Sequence, residues 1–170
     1  MIIKTERLVL RPWEEEDAEN LYKYAQNPKI GPIAGWPPHK SVEDSLEIIN
    51  TVFAKNETYA ITKNCEAIGS IGLLIHPDGN HYWGDGCGEL GYWIGEPFWG
   101  EGLVVEASIE LLKHGFDDLK LEKIYATFRN DNFQSKRVLE KLGFKFVDTV
   151  INEDFTGERF MEVVMVLENQ

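Results

Sequence analysis

Apolar residues recur along the chain at two kinds of spacing, and each kind predicts one type of element. Short apolar or alternating runs predict strands over residues 5–11, 59–62, 67–75, 89–94, 123–128, 145–152 and 159–167. Apolar residues three and four positions apart predict helices over residues 14–25, 41–54, 103–116 and 132–143. No linker, repeat or low-complexity tract interrupts this series, so we predict one mixed α/β domain over residues 1–170, built around one sheet.

A glycine turn joins the fourth predicted strand to the third predicted helix. The strand breaks at Gly95 to Pro97, and the chain passes through Gly100 and Gly102 into a helix at Leu103. Because the first N–H groups of a helix have no partner within it, such a turn can hold a phosphate or pyrophosphate, although a plain structural turn has the same pattern. No Gly-Lys-Ser/Thr follows, and the third glycine of a dinucleotide fingerprint would fall at Val105, which excludes both of those phosphate loops.

Composition narrows the range of partners. The chain has 17 Lys plus Arg and 29 Asp plus Glu, so its formal charge is 17 − 29 = −12. Duplex binding needs a basic surface that displaces counterions, so nucleic acid is not an expected partner. The negative charge would suit a cationic partner, such as a polyamine or a basic protein tail. The simpler explanation is that the charge keeps the protein in solution.

Two loops and the cysteines carry other candidate groups. Trp36, in the Gly- and Pro-rich loop 30–40, either lines a pocket or packs on the core. Residues 76–88 form a second predicted loop, which holds four potential metal ligands at no recognised spacing, so we expect no metal: His76, His81, Asp85 and Cys87. We expect reduced thiols, no signal peptide and no membrane span, and therefore a cytoplasmic protein.

Three segments together resemble a known family. The segments WGEGLVVEA and NFQSKRVLEKLGF, with TERLVLRPW near the start, closely resemble the GNAT superfamily of acetyl-CoA-dependent N-acetyltransferases. The nearest branch is the one that acetylates ribosomal-protein N-termini. The resemblance covers nearly the whole chain. It implies a mixed, mostly antiparallel sheet of about seven strands flanked by about four helices, with the fourth and fifth strands splayed, and acetyl-CoA as co-substrate without a metal.

The resemblance also implies where acetyl-CoA binds. The pantetheine arm would pair with the backbone of Tyr92, Trp93 and Ile94, where the strand bulges, and an N–H near Ile94 would be the oxyanion donor. Asn132 matches a helix-cap asparagine that contacts pantetheine in relatives, and capping alone would also explain it. The family's pyrophosphate motif falls on six consecutive residues: Trp99, Gly100, Glu101, Gly102, Leu103 and Val104. Gly102 matches the motif, and Trp99 replaces its Gln or Arg. Val104 replaces a small residue and is expected to crowd the site.

Two catalytic residues are implied in the same way. Glu89 matches a strand glutamate that acts as base in several relatives, and a solvated glutamate at a strand edge is the alternative. Many relatives carry a tyrosine acid where this chain has Leu139. Ser135 matches the serine that is the proposed acid in the ribosomal-protein branch; a helix-surface serine with water as the proton source is the alternative.

The resemblance therefore predicts direct transfer of acetyl from acetyl-CoA to a primary amine, either a protein N-terminal α-amine or a small-molecule amine. Neither motif contains a cysteine, which argues against a covalent intermediate, although Cys87 beside Glu89 keeps that route open. The alternative is a non-catalytic acyl-CoA-binding or sensor protein, which the missing tyrosine at Leu139 and the presence of Val104 favour. A homodimer is an open alternative to a monomer, and the sequence does not identify the acceptor.

Overall fold

The computed structural model describes residues 1–79 and 81–170. Within them one sheet has the strand order β1-β2-β3-β4-β5-β6-β8-β7, antiparallel throughout except between β5 and β6. Its strands are β1 (Ile3–Lys4), β2 (Val9–Arg11), β3 (Thr58–Lys63), β4 (Glu66–Leu74), β5 (Cys87–Ile94), β6 (Lys123–Arg129), β7 (Lys145–Glu153) and β8 (Arg159–Glu168). The helices are α1 (Ala18–Ala25), α2 (Gly31–Ala34), α3 (Val42–Asn50), α4 (Leu103–Asp117) and α5 (Phe133–Lys141), with short 3₁₀ turns at Glu15–Asp17 and Glu96–Phe98.

This architecture confirms the predicted mixed, mostly antiparallel fold and adds one strand and one helix to it. The predicted first strand is two short strands, because Thr5 and Leu8 close a turn between them: the Thr5 N–H donates to Leu8 O and the Leu8 N–H donates to Thr5 Oγ1, both at 3.0 Å. The additional helix, α2, lies in the Gly- and Pro-rich loop. Proline is compatible with its first turn, and Gly35 ends it with a φ of 97°.

The predicted splay between the fourth and fifth strands is present between β5 and β6. These strands pair over only three residues each, ending at Glu89 opposite Tyr125, while β5 stays paired with β4 as far as Ile94. Among the described residues, no strand therefore lies beside one backbone edge of residues 90–94. The predicted bulge is wrong, because the β4–β5 register is regular from Glu89 to Ile94; the gap opens where parallel pairing stops.

Side chains of β5 alternate between two apolar clusters on opposite faces of the sheet. Leu90 and Ile94 lie in the larger cluster with the buried residues of α4 and α5. Trp93 contacts the smaller cluster, which α1 and α3 form around Leu21 and Ile49. The sheet thus holds β5 between two packed layers, and its open edge lies between them. No helix among the described residues combines the length and the hydropathy needed to cross a bilayer.

Candidate active site

The turn before α4 has the geometry of an anion site. Gly100 and Gly102 have φ angles of 78° and 74°, in the left-handed region that favours glycine. Gly102 is the N-cap residue, and within the described residues no side chain caps this helix. The Glu106 N–H is already bonded to Gly102 O, at 3.1 Å. The N–H groups of the first turn, from Leu103 onward, are therefore available to an anion, and the helix dipole adds positive potential there.

Side chains from the beginning of the chain hold this turn in place. The Arg7 guanidinium donates to Glu101 O at 3.0 Å and to Glu106 Oε2 at 2.6 Å, and Thr5 Oγ1 donates to Glu106 Oε1 at 2.6 Å. Burial acts to raise the pKa of Glu106, but the bonds from Thr5 and Arg7 outweigh it and hold that pKa below its usual value. Sequence reasoning missed this contact, although both partners lie in the segments that carry the family resemblance.

Trp99 and Val104 hold the turn from the core side. The Trp99 indole N–H donates to Ile94 O at 3.0 Å, which joins the turn to the end of β5. The Val104 side chain is buried in the larger cluster, so the expected crowding of the site by Val104 is wrong: the side chain is part of the core. Its backbone N–H stays a candidate contact for phosphate.

The hydrogen-bond ladder fixes which backbone groups of β5 face the gap. The Gly95 N–H donates to Ile68 O of the neighbouring chain segment at 2.8 Å. Bonded and non-bonded pairs alternate in an antiparallel ladder, so Trp93 also directs its N–H and C=O toward β4. Tyr92 and Ile94 direct theirs to the open edge, where the Ile94 C=O already accepts the Trp99 indole N–H. Of the three residues predicted to contact pantetheine through their backbone, Tyr92 and Ile94 face the gap, whereas the Trp93 backbone is paired with β4.

Glu89 lies where the two strands separate. Its side chain is 13% exposed, and its Oε2 accepts a hydrogen bond from the Trp83 indole N–H at 2.8 Å and contacts His81 Nδ1 at 3.1 Å. Trp83 stacks on Tyr125, which is opposite Glu89 on β6, with ring centroids 4.4 Å apart. Glu89 is thus an oriented, mostly buried carboxylate, and none of the described residues bonds to its Oε1. Sequence reasoning placed Trp83 and His81 in a loop without assigning them this contact.

Ser135 lies across the gap from β5, on the first turn of α5. Asn132 caps this helix, since its Oδ1 accepts the Ser135 N–H at 3.1 Å. Ser135 is only 9% exposed, and its Oγ lies 2.6 Å from the Tyr92 hydroxyl. Leu139 is fully buried in the core, one turn further along the helix. The expectations for Tyr92 concerned its backbone, and nothing in the sequence pattern signalled the contact of its hydroxyl with Ser135.

On the opposite face of β5 the surroundings are aromatic. Trp36 packs edge-on against Trp93, with ring centroids 5.7 Å apart, so it contacts the strand and the α1–α3 layer together. A Cβ added at Gly91 would meet no atom of residues 1–79 or 81–170 within 4 Å, so these residues leave open space above the strand between Trp93 and Glu89. Groups of three or more His, Cys, Asp or Glu side chains that could bind a metal are absent from residues 1–79 and 81–170.

Cys87 is the one thiol near this region within the described residues. Burial raises the pKa of the Cys87 thiol, Lys123 opposes this change, and the carboxylates of Glu122 and Asp85 add to it. Less thiolate is present at neutral pH than for an ordinary cysteine. Since the thiolate is the nucleophilic form, this environment weighs against Cys87 as an acyl carrier.

Comparison with known proteins places this geometry in a family. The family model described as Acetyltransferase (GNAT) domain matches residues 7–145. The chain belongs to the GNAT family of acetyltransferases. It is similar to the uncharacterized N-acetyltransferase p20 of Bacillus licheniformis, with 29% identity over 95% of this chain and 92% of p20.

Two solved structures have the same GNAT fold. A GNAT-family acetyltransferase from Bacillus anthracis superposes with a TM-score of 0.83 and 24% identity, over 99% of this chain and 98% of that one. RimJ of Mycobacterium smegmatis, solved in complex with CoA-disulfide, superposes with a TM-score of 0.81 and 20% identity, over 99% of this chain and 87% of RimJ. At these identities the similarity concerns the fold.

Proposed function

We propose that this GNAT protein transfers acetyl from acetyl-CoA directly to a primary amine. The observation that carries the proposal is the continuity of two open backbone surfaces: the free edge of β5 leads through the glycine turn to the uncapped start of α4. An extended arm that ends in a pyrophosphate matches this arrangement, because a strand edge offers paired N–H and C=O groups and a helix start offers N–H groups.

The proposed contacts with acetyl-CoA follow the same path. The pantetheine arm contacts the backbone of Tyr92 and Ile94, with Trp93 and Asn132 beside it. The pyrophosphate is held by the turn and the first turn of α4, that is by Trp99, Gly100, Glu101, Gly102, Leu103 and Val104. The binding of CoA-disulfide by RimJ, which shares the fold, supports CoA as the ligand class.

The proposed chemistry assigns one role to each of three groups. Glu89 takes a proton from the attacking amine, which is almost wholly protonated at neutral pH if its pKa is near that of lysine. The Ile94 N–H stabilises the oxyanion that forms when nitrogen adds to the thioester carbonyl. The carbonyl then re-forms as the carbon–sulfur bond breaks and its electron pair goes to sulfur. Ser135 supplies a proton to the sulfur, and the nitrogen releases its second proton to water as it becomes the amide nitrogen. The 13% exposure of the Glu89 side chain and the bond that it accepts from the Trp83 indole N–H support its role as base over that of a solvated edge residue.

The acceptor is proposed to be cationic, either a protein N-terminal α-amine or a small-molecule amine. The net charge of −12 and the aromatic surroundings of Glu89 support a cation, because aromatic faces attract cations. We further propose a cytoplasmic protein with one functional domain over residues 1–170 and no nucleic-acid or membrane partner, with a homodimer as the alternative to a monomer. These proposals rest on the sequence patterns described above.

A panel of peptides, polyamines and aminoglycosides tests this function. Wild type should release free thiol from acetyl-CoA with at least one amine, and Glu89→Gln should lower that rate roughly 10²-fold or more without changing acetyl-CoA affinity. Glu19→Gln, on the exposed surface of α1, is the matched control and should retain the rate. Binding of acetyl-CoA without turnover would favour the sensor alternative, which the buried Leu139 supports. Absence of acetyl-CoA binding would refute both functions.

A further inference from the structure

Tyr92 on β5 and Ser135 on α5 bring two hydroxyl groups into direct contact. Their oxygens are 2.6 Å apart, and the Tyr92 hydroxyl also lies 3.4 Å from the backbone oxygen of Ser135. The capping bond from Ser135 N–H to Asn132 Oδ1 fixes the turn of helix that carries Ser135. The pair is therefore held from both sides of the gap, and Tyr92 starts from the strand segment whose backbone faces that gap.

A serine alone is a poor donor of a proton to a thiolate. When an aliphatic hydroxyl gives up its proton it becomes an alkoxide, a far stronger base than the thiolate that it has protonated. A second donor that returns a proton to the serine oxygen in the same step removes this difficulty. A phenol suits that position because it is more acidic than an aliphatic alcohol, and Tyr92 is the phenol in hydrogen-bond contact with Ser135.

We propose that Tyr92 is a positioning residue for the acid step, whose hydroxyl donates to Ser135 Oγ and so directs the Ser135 proton at the departing thiolate. The inference rests on the proposed acetyltransferase function. As the carbon–sulfur bond breaks, sulfur takes the proton of Ser135 Oγ. Ser135 Oγ takes the proton of the Tyr92 hydroxyl, and the phenolate regains a proton from water before the next turnover.

The environment of Tyr92 suits this role. Burial is the largest influence on the pKa of Tyr92 and raises it to about 12. Tyr92 is therefore protonated throughout the neutral range, and its phenolate recovers a proton readily. Leu139, one turn further along α5, is fully buried and apolar, so it offers no hydroxyl to Ser135.

A double-mutant cycle on kcat tests the proposal. Tyr92→Phe keeps the ring and removes the hydroxyl, and it should lower kcat between about 10-fold and 100-fold with the KM for acetyl-CoA unchanged within about twofold. Ser135→Ala should lower kcat at least as much, and Ser135→Thr, which keeps a hydroxyl, should restore most of it. Because Tyr92 acts only through Ser135, adding Tyr92→Phe to Ser135→Ala should change kcat less than about twofold.

Tyr59→Phe is the matched control, since it removes another partly buried tyrosine hydroxyl, which bonds to Glu57 Oε2 at 2.7 Å. It should lower the melting temperature and leave kcat unchanged. The inference is overturned if Tyr92→Phe retains the wild-type kcat, or if the two single losses multiply in the double variant. A wild-type protein with no turnover on any amine overturns the proposed function and this inference together, whereas turnover that Tyr92→Phe leaves intact overturns the inference alone.

Discussion

The substitution Gly102→Ala tests whether the left-handed backbone conformation of the glycine turn matters, because it changes that conformation without disturbing the packing around it. Gly102 has a φ of 74°, and among the described residues a Cβ added there would come within 4 Å only of Arg7 Nη2, at 3.9 Å. The substitution therefore introduces backbone strain without a steric clash. A left-handed conformation costs an ordinary residue about 1–2 kcal/mol, which corresponds to a fall in melting temperature of about 2–8 °C for a chain of this size.

The same strain should weaken acetyl-CoA binding. If the turn relaxes by rotating out of the left-handed region, the N–H groups at the start of α4 change direction, and a loss of about 1.4 kcal/mol raises the Kd tenfold. We expect the Kd to rise between about 5-fold and 30-fold, measured by isothermal titration calorimetry beside a thermal melt.

Gly143→Ala is the control for strain alone. Gly143 lies just beyond the C-terminal end of α5 and has a φ of 90°. In the part of the chain that the structure describes, a Cβ added there would come within 4 Å only of Leu167 Cδ1, at 3.7 Å. It should lower the melting temperature by a similar amount and leave the Kd unchanged. Wild-type acetyl-CoA affinity in Gly102→Ala, with a melting temperature that falls less than in Gly143→Ala and so indicates a relaxed turn, would refute the assignment of the pyrophosphate to this turn.

Two further predictions concern the groups around Glu89 and Glu106. Trp83→Phe keeps a ring stacked on Tyr125 but removes the N–H that donates to Glu89. Steady-state kinetics should show a kcat roughly 10-fold lower, with unchanged acetyl-CoA affinity. An unchanged kcat would contradict the role of Trp83 in orienting Glu89. Because the pKa of Glu106 is lowered in the folded protein, its ionisation stabilises the fold above the ordinary glutamate pKa, and this contribution is lost as the pH falls through the folded pKa. The difference in unfolding free energy between wild type and Glu106→Gln, measured in urea, should therefore shrink as the pH falls below about 4; a difference that is constant with pH would argue against this linkage.

Patterns within single segments account for most of the fold. Apolar spacing predicted the helices and most strands, since each such element buries one stripe or one face. The division of the first strand depends on the bonds that close the turn between Thr5 and Leu8, which periodicity does not report. The short helix α2 was missed because Gly and Pro dominate the segment around it and conceal its single turn.

The sequence pointed to candidate residues of the site but to only part of their contacts. Glu89 and Ser135 are candidates because of their places in the motifs. Their partners come from distant or patternless segments: Ser135 contacts Tyr92 from 43 residues away, and Trp83 lies in a Gly-rich loop without periodicity. Arg7 and Glu106 are 99 residues apart, and only the fold brings the first strands beside α4. Such contacts are set by tertiary packing, which a single sequence does not encode in any local signal.

The most direct test of acetyl transfer is to follow the acetyl group itself. Initial rates at varied acetyl-CoA and amine concentrations, with mass spectrometry of the amine and of the intact protein, would show where the group goes. Direct transfer predicts one acetylated amine for each thiol released, intersecting double-reciprocal lines and no acetylated protein. Parallel lines with acetyl on Cys87 would contradict direct transfer, and acetyl-CoA binding without any acetylated amine would contradict an acetyltransferase function.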